Sequence, residues 1–195
     1  MTLAGKRIGF GLTGSHHTFQ HVFPIIENLM SKQVEIFPMV SFTVLTTDTK
    51  FGKAEDHVRK LEELTGKKVT KTMPEAEPFG PDTPLDCMVI APMTGNSMAK
   101  FANGITDNPV LMAAKSTIRN QNPVVLGITT NDALGMNGMN LMKLLNSKHI
   151  YFIPFGQDNP KSKPNSLVAK LDYLEDTVEN AINGKQIQPV IVPFT

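Results

Sequence analysis

The sequence has little of three things that mark common classes of protein: cysteine, an excess of charge of one sign, and long apolar runs. It contains one cysteine among 195 residues, so an internal disulfide is impossible and a reducing compartment is indicated. Nineteen basic and eighteen acidic side chains leave a net charge of +1, which gives no electrostatic basis for binding nucleic acid or an anionic membrane. No apolar run approaches the ~20 residues that span a bilayer. We therefore expect a cytoplasmic protein without a signal peptide.

Short buried runs alternate with amphipathic segments along the chain. This alternation predicts a single domain, residues 1–195, built as a three-layer α/β/α sandwich around a mostly parallel sheet. The proline-rich segment 73–84 is predicted to be irregular. Strands are predicted at residues 6–12, 34–40, 87–91, 123–128 and 149–154, and helices at 17–30, 53–65, 134–145 and 165–183.

The stretch behind the central predicted strand is the most informative part of the sequence. Pro92 is followed by small residues with hydroxyl or amide groups, Thr94, Gly95, Asn96 and Ser97, and then by a helical pattern. A buried strand that opens through such a loop into a helix forms a ligand site at the carboxyl edge of a parallel sheet. We predict ligand contacts from this loop. The alternative is that Asn96 or Ser97 only caps the following helix.

A second polar loop follows the first predicted strand, and the two loops are expected to form one crevice. Gly14 and Ser15 form a turn there, and Ser41 and Thr43 come at the end of the second strand. Their backbone amides and hydroxyls would hold a phosphate without a cationic side chain. Ordinary turn and capping chemistry is the alternative.

Two histidines stand beside this second loop. His16 and His17 begin the first predicted helix, where a histidine would pair with an anion, act on a substrate, or simply face solvent. The five histidines show no metal-binding spacing, so no metal site is predicted. Cys87 lies within a buried strand and is expected to be an inert core residue.

Two segments carry a family resemblance. Residues 92–97, Pro-Met-Thr-Gly-Asn-Ser, and residues 104–108, Gly-Ile-Thr-Asp-Asn, resemble the Pro-Ala-Thr-Ala-Asn-Thr…Gly-Ile-Ala-Asp-Asn signature of the flavoprotein family. That family includes flavin-containing cysteine decarboxylases and flavin prenyltransferases, and the resemblance extends over essentially the whole chain. It implies a homo-oligomer whose sheet has a Rossmann-like order and about six strands, with FMN at the topological switch point. The implied cofactor-binding residues are Gly14, Ser15, Ser41, Thr43, Pro92, Thr94, Asn96, Ser97 and Thr129. His16, His17 and Asn131 are weaker candidates for contact with substrate or phosphate, and Asn137 is expected to face the ligand from the same loop as Asn131.

The catalytic groups of the cysteine decarboxylases and of the flavin prenyltransferases are missing from this sequence. The decarboxylases carry a histidine shortly before the central strand, whereas residues 59–148 contain none. Their Pro-Ala-Met-Asn-x-x-Met-Trp motif is also absent, and the chain has no tryptophan. The prenyltransferases have an arginine where Thr129 stands and a tyrosine-containing loop where residues 157–159 stand. The sequence therefore identifies no catalytic residue.

Within the family, the chain resembles a branch whose members act with a separate, NAD(P)-binding A subunit. That resemblance implies oxidation of dihydrodipicolinate to dipicolinate, a small dicarboxylate, in the mother cell of a sporulating bacterium. Because the reaction removes two hydrogens, a hydride acceptor is required. The alternatives are an FMN-dependent decarboxylase, and a protein that presents substrate or nucleotide to its partner without redox chemistry of its own.

Overall fold

The computed structural model describes residues 3–193 and shows a seven-stranded sheet with helices on both faces. The strands are β1 (Arg7–Leu12), β2 (Glu35–Val40), β3 (Cys87–Met93), β4 (Val124–Thr130), β5 (Ile150–Phe152), β6 (Phe155–Gly156) and β7 (Leu167–Ala169). The helices are α1 (Phe19–Ser31), α2 (Phe42–Thr46), α3 (Ala54–Thr65), α4 (Met73–Ala76), α5 (Gly95–Ala102), α6 (Pro109–Arg119), α7 (Gly138–Leu145) and α8 (Leu174–Ile182). None of the helices within residues 3–193 is long and apolar enough to cross a bilayer.

The strand order places four strand ends side by side. The order is β2-β1-β3-β4-β7-β6, and β5 also pairs with β4. Strands β1 to β5 pair in parallel, whereas β7 runs antiparallel to β4 and β6. The mostly parallel α/β/α architecture is confirmed, with seven strands instead of about six. The carboxyl ends of β2, β1, β3 and β4 consequently meet at one edge of the sheet, called here the carboxyl edge.

Two apolar cores flank the sheet, because successive strand residues point to opposite faces. Phe10 and Leu12 of β1 pack with α1, α3 and α8 on one face. The other face packs against α5, α6 and α7 through β3 residues such as Met88. On that face β1 carries Gly11, and a Cβ there would lie 2.5 Å from a Cγ atom of Val110. The missing side chain is what allows α6 to approach the sheet so closely.

The predicted helix at residues 165–183 is wrong in its first half. Leu167–Ala169 forms β7, a 3₁₀ turn follows, and only Leu174–Ile182 is α-helical. The apolar spacing fits a helix, but β4 offers an unpaired backbone edge at its end. Pairing of Thr129 with Val168 and of Thr130 with Leu167 satisfies that edge. This tertiary pairing outweighs a weak local preference for helix.

Three other segments also differ from the prediction. The helix expected at 134–145 begins only at Gly138, because the Asp132 carbonyl accepts hydrogen bonds from the N–H groups of Gly135 (3.0 Å) and Asn137 (3.1 Å) and folds the chain into turns. The segment 73–84, predicted to be irregular, contains α4, which starts with a capping box between Thr72 and Glu75. Helix α2 was not predicted, because five residues carry too little periodicity to be recognised.

Candidate functional site

Two cavities are lined by residues of the carboxyl edge. The first cavity, of about 240 Å³, is lined by Gly14, Ser41, Phe42, Thr43, Thr94, Asn96, Ser97, Lys100, Asp107 and Asn108. The second cavity, of about 390 Å³, is lined by Ser15, His17, Phe51, Thr129, Thr130, Asn131, Asp158, Lys163 and Val168. The neighbouring residues Gly14 and Ser15 line one cavity each, so the two cavities meet at the loop after β1.

Most of the residues proposed for cofactor binding come together in the first cavity. Ser15 and Thr129 line the second cavity instead. Pro92 lines neither; it is buried in β3, and its carbonyl accepts hydrogen bonds from both the N–H (3.3 Å) and the hydroxyl (2.8 Å) of Thr13. The residues in the first cavity are Gly14, Ser41, Thr43, Thr94, Asn96 and Ser97.

Thr13 connects the two polar loops and was missed by the sequence reasoning. Its hydroxyl donates to the Pro92 carbonyl and accepts a hydrogen bond from the Thr94 N–H at 2.9 Å. It is almost fully buried, so these bonds are made out of water. The sequence did contain a signal for Thr13. It is a hydroxyl residue at the end of a strand, and the neighbouring strand also ends in a polar loop. Thr13 therefore fixes the distance between the loops that frame the first cavity.

The start of α5 is formed by side chains already engaged with protein. Thr94 caps the helix, with its hydroxyl accepting from the Ser97 N–H at 3.3 Å and donating to the Ser97 hydroxyl at 3.1 Å. Asn96 is different, because its side chain is exposed. Of these three residues, Asn96 is consequently the best placed to offer its amide to a ligand. The helix cap is thus Thr94, and the alternative that Asn96 or Ser97 caps the helix is wrong.

Unpaired polar groups at the other end of the first cavity indicate how an anion would be held. The Ser41 hydroxyl is buried, with the residue 7% exposed, and has no hydrogen-bond partner within residues 3–193. In the same part of the chain the N–H of Gly14 has no partner, whereas that of Ser15 donates to the Thr13 carbonyl at 2.7 Å. A buried unpaired hydroxyl is costly, and a bound oxyanion would satisfy it. The donor set fits a phosphate group.

The rim of the first cavity carries an ion pair between Lys100 and Asp107. The hydrogen bond from Lys100 holds the pKa of Asp107 below its usual range. The two charges cancel, so the cavity would attract an anion through amides and hydroxyls and not through net charge. Asp107 belongs to the family signature at residues 104–108, but its pairing with Lys100 was not predicted, because a lysine and an aspartate seven positions apart are common on any surface.

The two histidines of the first loop have different surroundings. His17 is exposed, lines the second cavity, and its Nδ1 lies 3.4 Å from the Ser15 hydroxyl oxygen. His16 is buried beside His57, which sequence reasoning missed, and its Nδ1 lies 3.2 Å from the Gly14 carbonyl oxygen. Only His17 is placed to meet a ligand in either of these cavities.

The second asparagine expected near a ligand has a structural partner instead. Asn131 is exposed and lines the second cavity. Asn137 is buried and donates to the Asp132 carboxylate at 2.7 Å, and Thr130 donates to the same carboxylate. These three side chains pack against Gly95, the first residue of α5. They hold the polar loop in place from behind.

The described part of the chain contains no cluster of potential metal ligands, and its one cysteine is buried. No group of three or more histidine, cysteine, aspartate or glutamate side chains within residues 3–193 is arranged to hold a metal ion. Cys87 is fully buried in β3, and burial raises the pKa of its thiol far above the usual value. The thiol is therefore protonated and inaccessible.

Comparison with known proteins places this arrangement in a family. The flavoprotein family model matches residues 1–177. The chain is 60% identical over 191 residues to the B subunit of dipicolinate synthase from Bacillus subtilis (strain 168), covering 98% of this chain and 96% of that protein. The crystal structure of the corresponding B subunit from Bacillus halodurans C matches with a TM-score of 0.92 at 57% identity over 100% of both chains. The FMN-dependent cysteine decarboxylase SpaF shares the fold, with a TM-score of 0.66 at 19% identity over 92% of this chain and 98% of SpaF. The chain belongs to the flavoprotein family.

Proposed function

We propose that this chain is the B-type subunit of a dipicolinate synthase. Together with an A subunit, it would oxidise dihydrodipicolinate to dipicolinate, pyridine-2,6-dicarboxylate, in the mother cell of a sporulating bacterium. The observation that carries the proposal is the 60% identity to such a protein over 98% of this chain, which extends the similarity to nearly the whole fold. The paired cavities at the carboxyl edge support it, because a redox reaction needs an electron acceptor and a substrate side by side.

The first cavity is the proposed flavin site. The Gly14 N–H and the hydroxyls of Ser41 and Thr43 would hold the FMN phosphate, and the loop with Thr94 and Asn96 would face the ring. When bound, FMN supplies a hydride acceptor. The protein would bind the phosphate through preorganised donors and orient the flavin ring toward the second cavity.

Few side chains in the two cavities could act as an acid or a base, which supports a role for a partner subunit. Within residues 3–193 the two cavities contain one histidine, His17, whose nearest described partner is the Ser15 hydroxyl. Neither cavity contains a cysteine, nor two carboxylates close together. We propose that NAD(P) and the remaining acid–base groups come from the A subunit, and that the present chain itself forms a homo-oligomer.

Reconstitution tests the proposal. Purified chain would be assayed for the ultraviolet absorbance of dipicolinate with FMN, with NAD(P), with the A subunit, and with all three together. We expect useful turnover only when the A subunit is present, and we expect the chain to bind FMN in an absorbance titration. Turnover by the chain alone at the rate of the complete mixture would overturn the need for the partner. A chain that never accepts FMN but is still required for turnover would be a non-redox protein that presents the substrate.

A further inference from the structure

We infer that the second cavity is a binding site for the dicarboxylate, in which Lys163 anchors a carboxylate of the ligand and Asp158 competes for the same ammonium group. The inference deepens the proposed function, because it rests on a small cyclic dicarboxylic acid as the substrate. It assigns to this cavity a ligand class and a pair of residues with opposite effects on affinity.

Several separate parts of the chain build the second cavity, which makes it a defined pocket; Phe51 between α2 and α3 and Val168 of β7 belong to its lining. The loop after β1 contributes Ser15 and His17, the end of β4 contributes residues 129–131, and the loop between β6 and β7 contributes Asp158 and Lys163. Pairing of β7 with β4 attaches this last loop to the sheet. A cavity of about 390 Å³ has ample room for one six-membered ring with two carboxylates.

The position of Lys163 is fixed by its own backbone. Its N–H donates to the Asn159 carbonyl at 2.7 Å, and its carbonyl accepts from the Ser166 N–H at 3.0 Å. Across the loop, the Gln157 side chain donates to the Pro164 carbonyl at 2.9 Å. The backbone of Lys163 is therefore fixed at the cavity wall, whereas its side chain can exchange one hydrogen-bond partner for another.

The lining matches the chemistry of a planar dicarboxylate. Lys163 is the cation, and the hydroxyls of Ser15 and Thr129 and the amide of Asn131 are additional donors. Phe51 offers an aromatic ring that is half exposed, at 49%. Offset stacking of a flat ring on that surface would orient both carboxylates toward the polar wall. A ligand held here would lie next to one in the first cavity, since Gly14 and Ser15 separate the two.

Lys163 forms an ion pair with Asp158, and the two residues should affect ligand affinity in opposite directions. Its Nζ lies 3.3 Å from the Asp158 carboxylate, and both side chains are partly exposed, so this ion pair is weak. Burial acts to raise the pKa of Asp158, but side-chain hydrogen bonding with Ser166 and with Lys163, together with the charge of Lys163, outweighs it and lowers the pKa. Asp158 is thus ionised at neutral pH. A ligand carboxylate must replace Asp158 as the partner of the Lys163 ammonium group, and the negative charge of Asp158 repels that carboxylate.

The test measures dipicolinate binding by titration calorimetry to FMN-treated protein in metal-free buffer. We expect Lys163→Gln to weaken binding about tenfold or more, because a hydrogen bond to a charged group is lost. Asp158→Asn should strengthen binding roughly threefold or more, because a repelling charge is removed. Lys163→Arg should retain most of the affinity. Lys161→Gln, which changes an exposed lysine of the same loop outside the cavity, should alter affinity by less than about twofold.

The opposite signs separate a binding role from a structural one. Lys163→Gln and Asp158→Asn break the same ion pair, so a purely structural effect would move the affinity in the same direction for both. Equal or absent changes would overturn the inference, as would wild-type protein that fails to bind dipicolinate at millimolar concentration. Displacement of FMN by dipicolinate would also overturn it, since that would place the acid in the first cavity. Turnover with the A subunit is a separate measurement, so the proposed function can stand while this inference fails.

Discussion

The imidazole rings of His16 and His57 lie 5.7 Å apart, centroid to centroid, and the Nε2 atom of each is buried without a hydrogen-bond partner in the described part of the chain. Phe19 packs edge-on against His57 at 4.9 Å. Burial lowers the pKa of both histidines. The bond to the Gly14 carbonyl offsets this partly for His16, and the charge of Asp56 does so for His57. The pair connects the 3₁₀ turn before α1 to α3 as two neutral rings.

Stability should therefore fall as the pH drops below the ordinary histidine value. In the unfolded chain both rings titrate near 6.5, whereas in the folded protein they take up protons only at lower pH. The unfolded state binds more protons in that window, so the free energy of unfolding rises with pH there. The loss should begin just below pH 6.5 and end once the folded rings are protonated. Urea unfolding at a series of pH values, from about 4.5 to about 8, measures it.

A substitution at His57 isolates this contribution. His57→Phe keeps an aromatic ring against Phe19 but cannot take up a proton, so the slope of stability against pH should become shallower. His21→Gln changes an exposed ring on α1 and serves as the control. An unchanged slope in His57→Phe would show that the pair does not set the acid sensitivity.

Replacing Ser41 should separate binding from folding. The hydroxyl is buried and unpaired, so Ser41→Ala removes a group that gains nothing in the free protein, and the midpoint of thermal unfolding should stay the same or rise. If the hydroxyl donates to the FMN phosphate, its loss should weaken FMN binding by about tenfold, the equivalent of roughly 1.5 kcal/mol for a bond to a charged group. Fluorescence titration of FMN measures the affinity.

Ser31→Ala provides the comparison for that variant. Its hydroxyl is exposed at the end of α1 and bonds only to the Asn28 carbonyl of its own helix. It should leave FMN affinity unchanged. Equal affinities of Ser41→Ala and wild type would remove Ser41 from the flavin site.

Particular residues show which features of the fold and site could be predicted from the sequence and which could not. The parallel core was predictable because strands such as β3 read as continuous apolar runs. The two polar loops were predictable because strand order alone brings them to one edge. Thr13, which ties them together, was not, because its partners lie about 80 positions away in sequence. Likewise, no local pattern shows that residues 167–169 complete the edge of β4.

Gly95 should be intolerant of even a methyl group. A Cβ there would lie 2.5 Å from the Thr130 hydroxyl, 2.6 Å from the Asp132 carboxylate and 2.9 Å from the Asn137 amide. These groups are tied to one another by hydrogen bonds and cannot move independently. Gly95→Ala should therefore cost about 1–3 kcal/mol of stability, although alanine is the better helix former.

Two further variants test that explanation of Gly95. Gly138 is also the first residue of a helix, and a Cβ there would have its nearest contact at 3.4 Å, so Gly138→Ala should be neutral or stabilising. In the double variant with Asp132→Ala, the cost of Gly95→Ala should shrink, because the carboxylate no longer obstructs the methyl group. Strict additivity of the two costs in urea unfolding would contradict a steric origin.

Asn96 should matter for ligand binding and not for folding. Its side chain is exposed at the start of α5 and lines the first cavity, so Asn96→Ala should change stability by less than about 0.5 kcal/mol. Losing one hydrogen bond to the flavin ring should weaken FMN binding by roughly fivefold, about 1 kcal/mol. Asn131→Ala is the matched variant, because Asn131 is also exposed but lines the second cavity. It should spare FMN affinity and weaken dipicolinate binding instead. An early-melting Asn96→Ala with wild-type FMN affinity would assign Asn96 to the fold, and identical profiles for the two variants would show that the cavities do not divide the ligands as proposed.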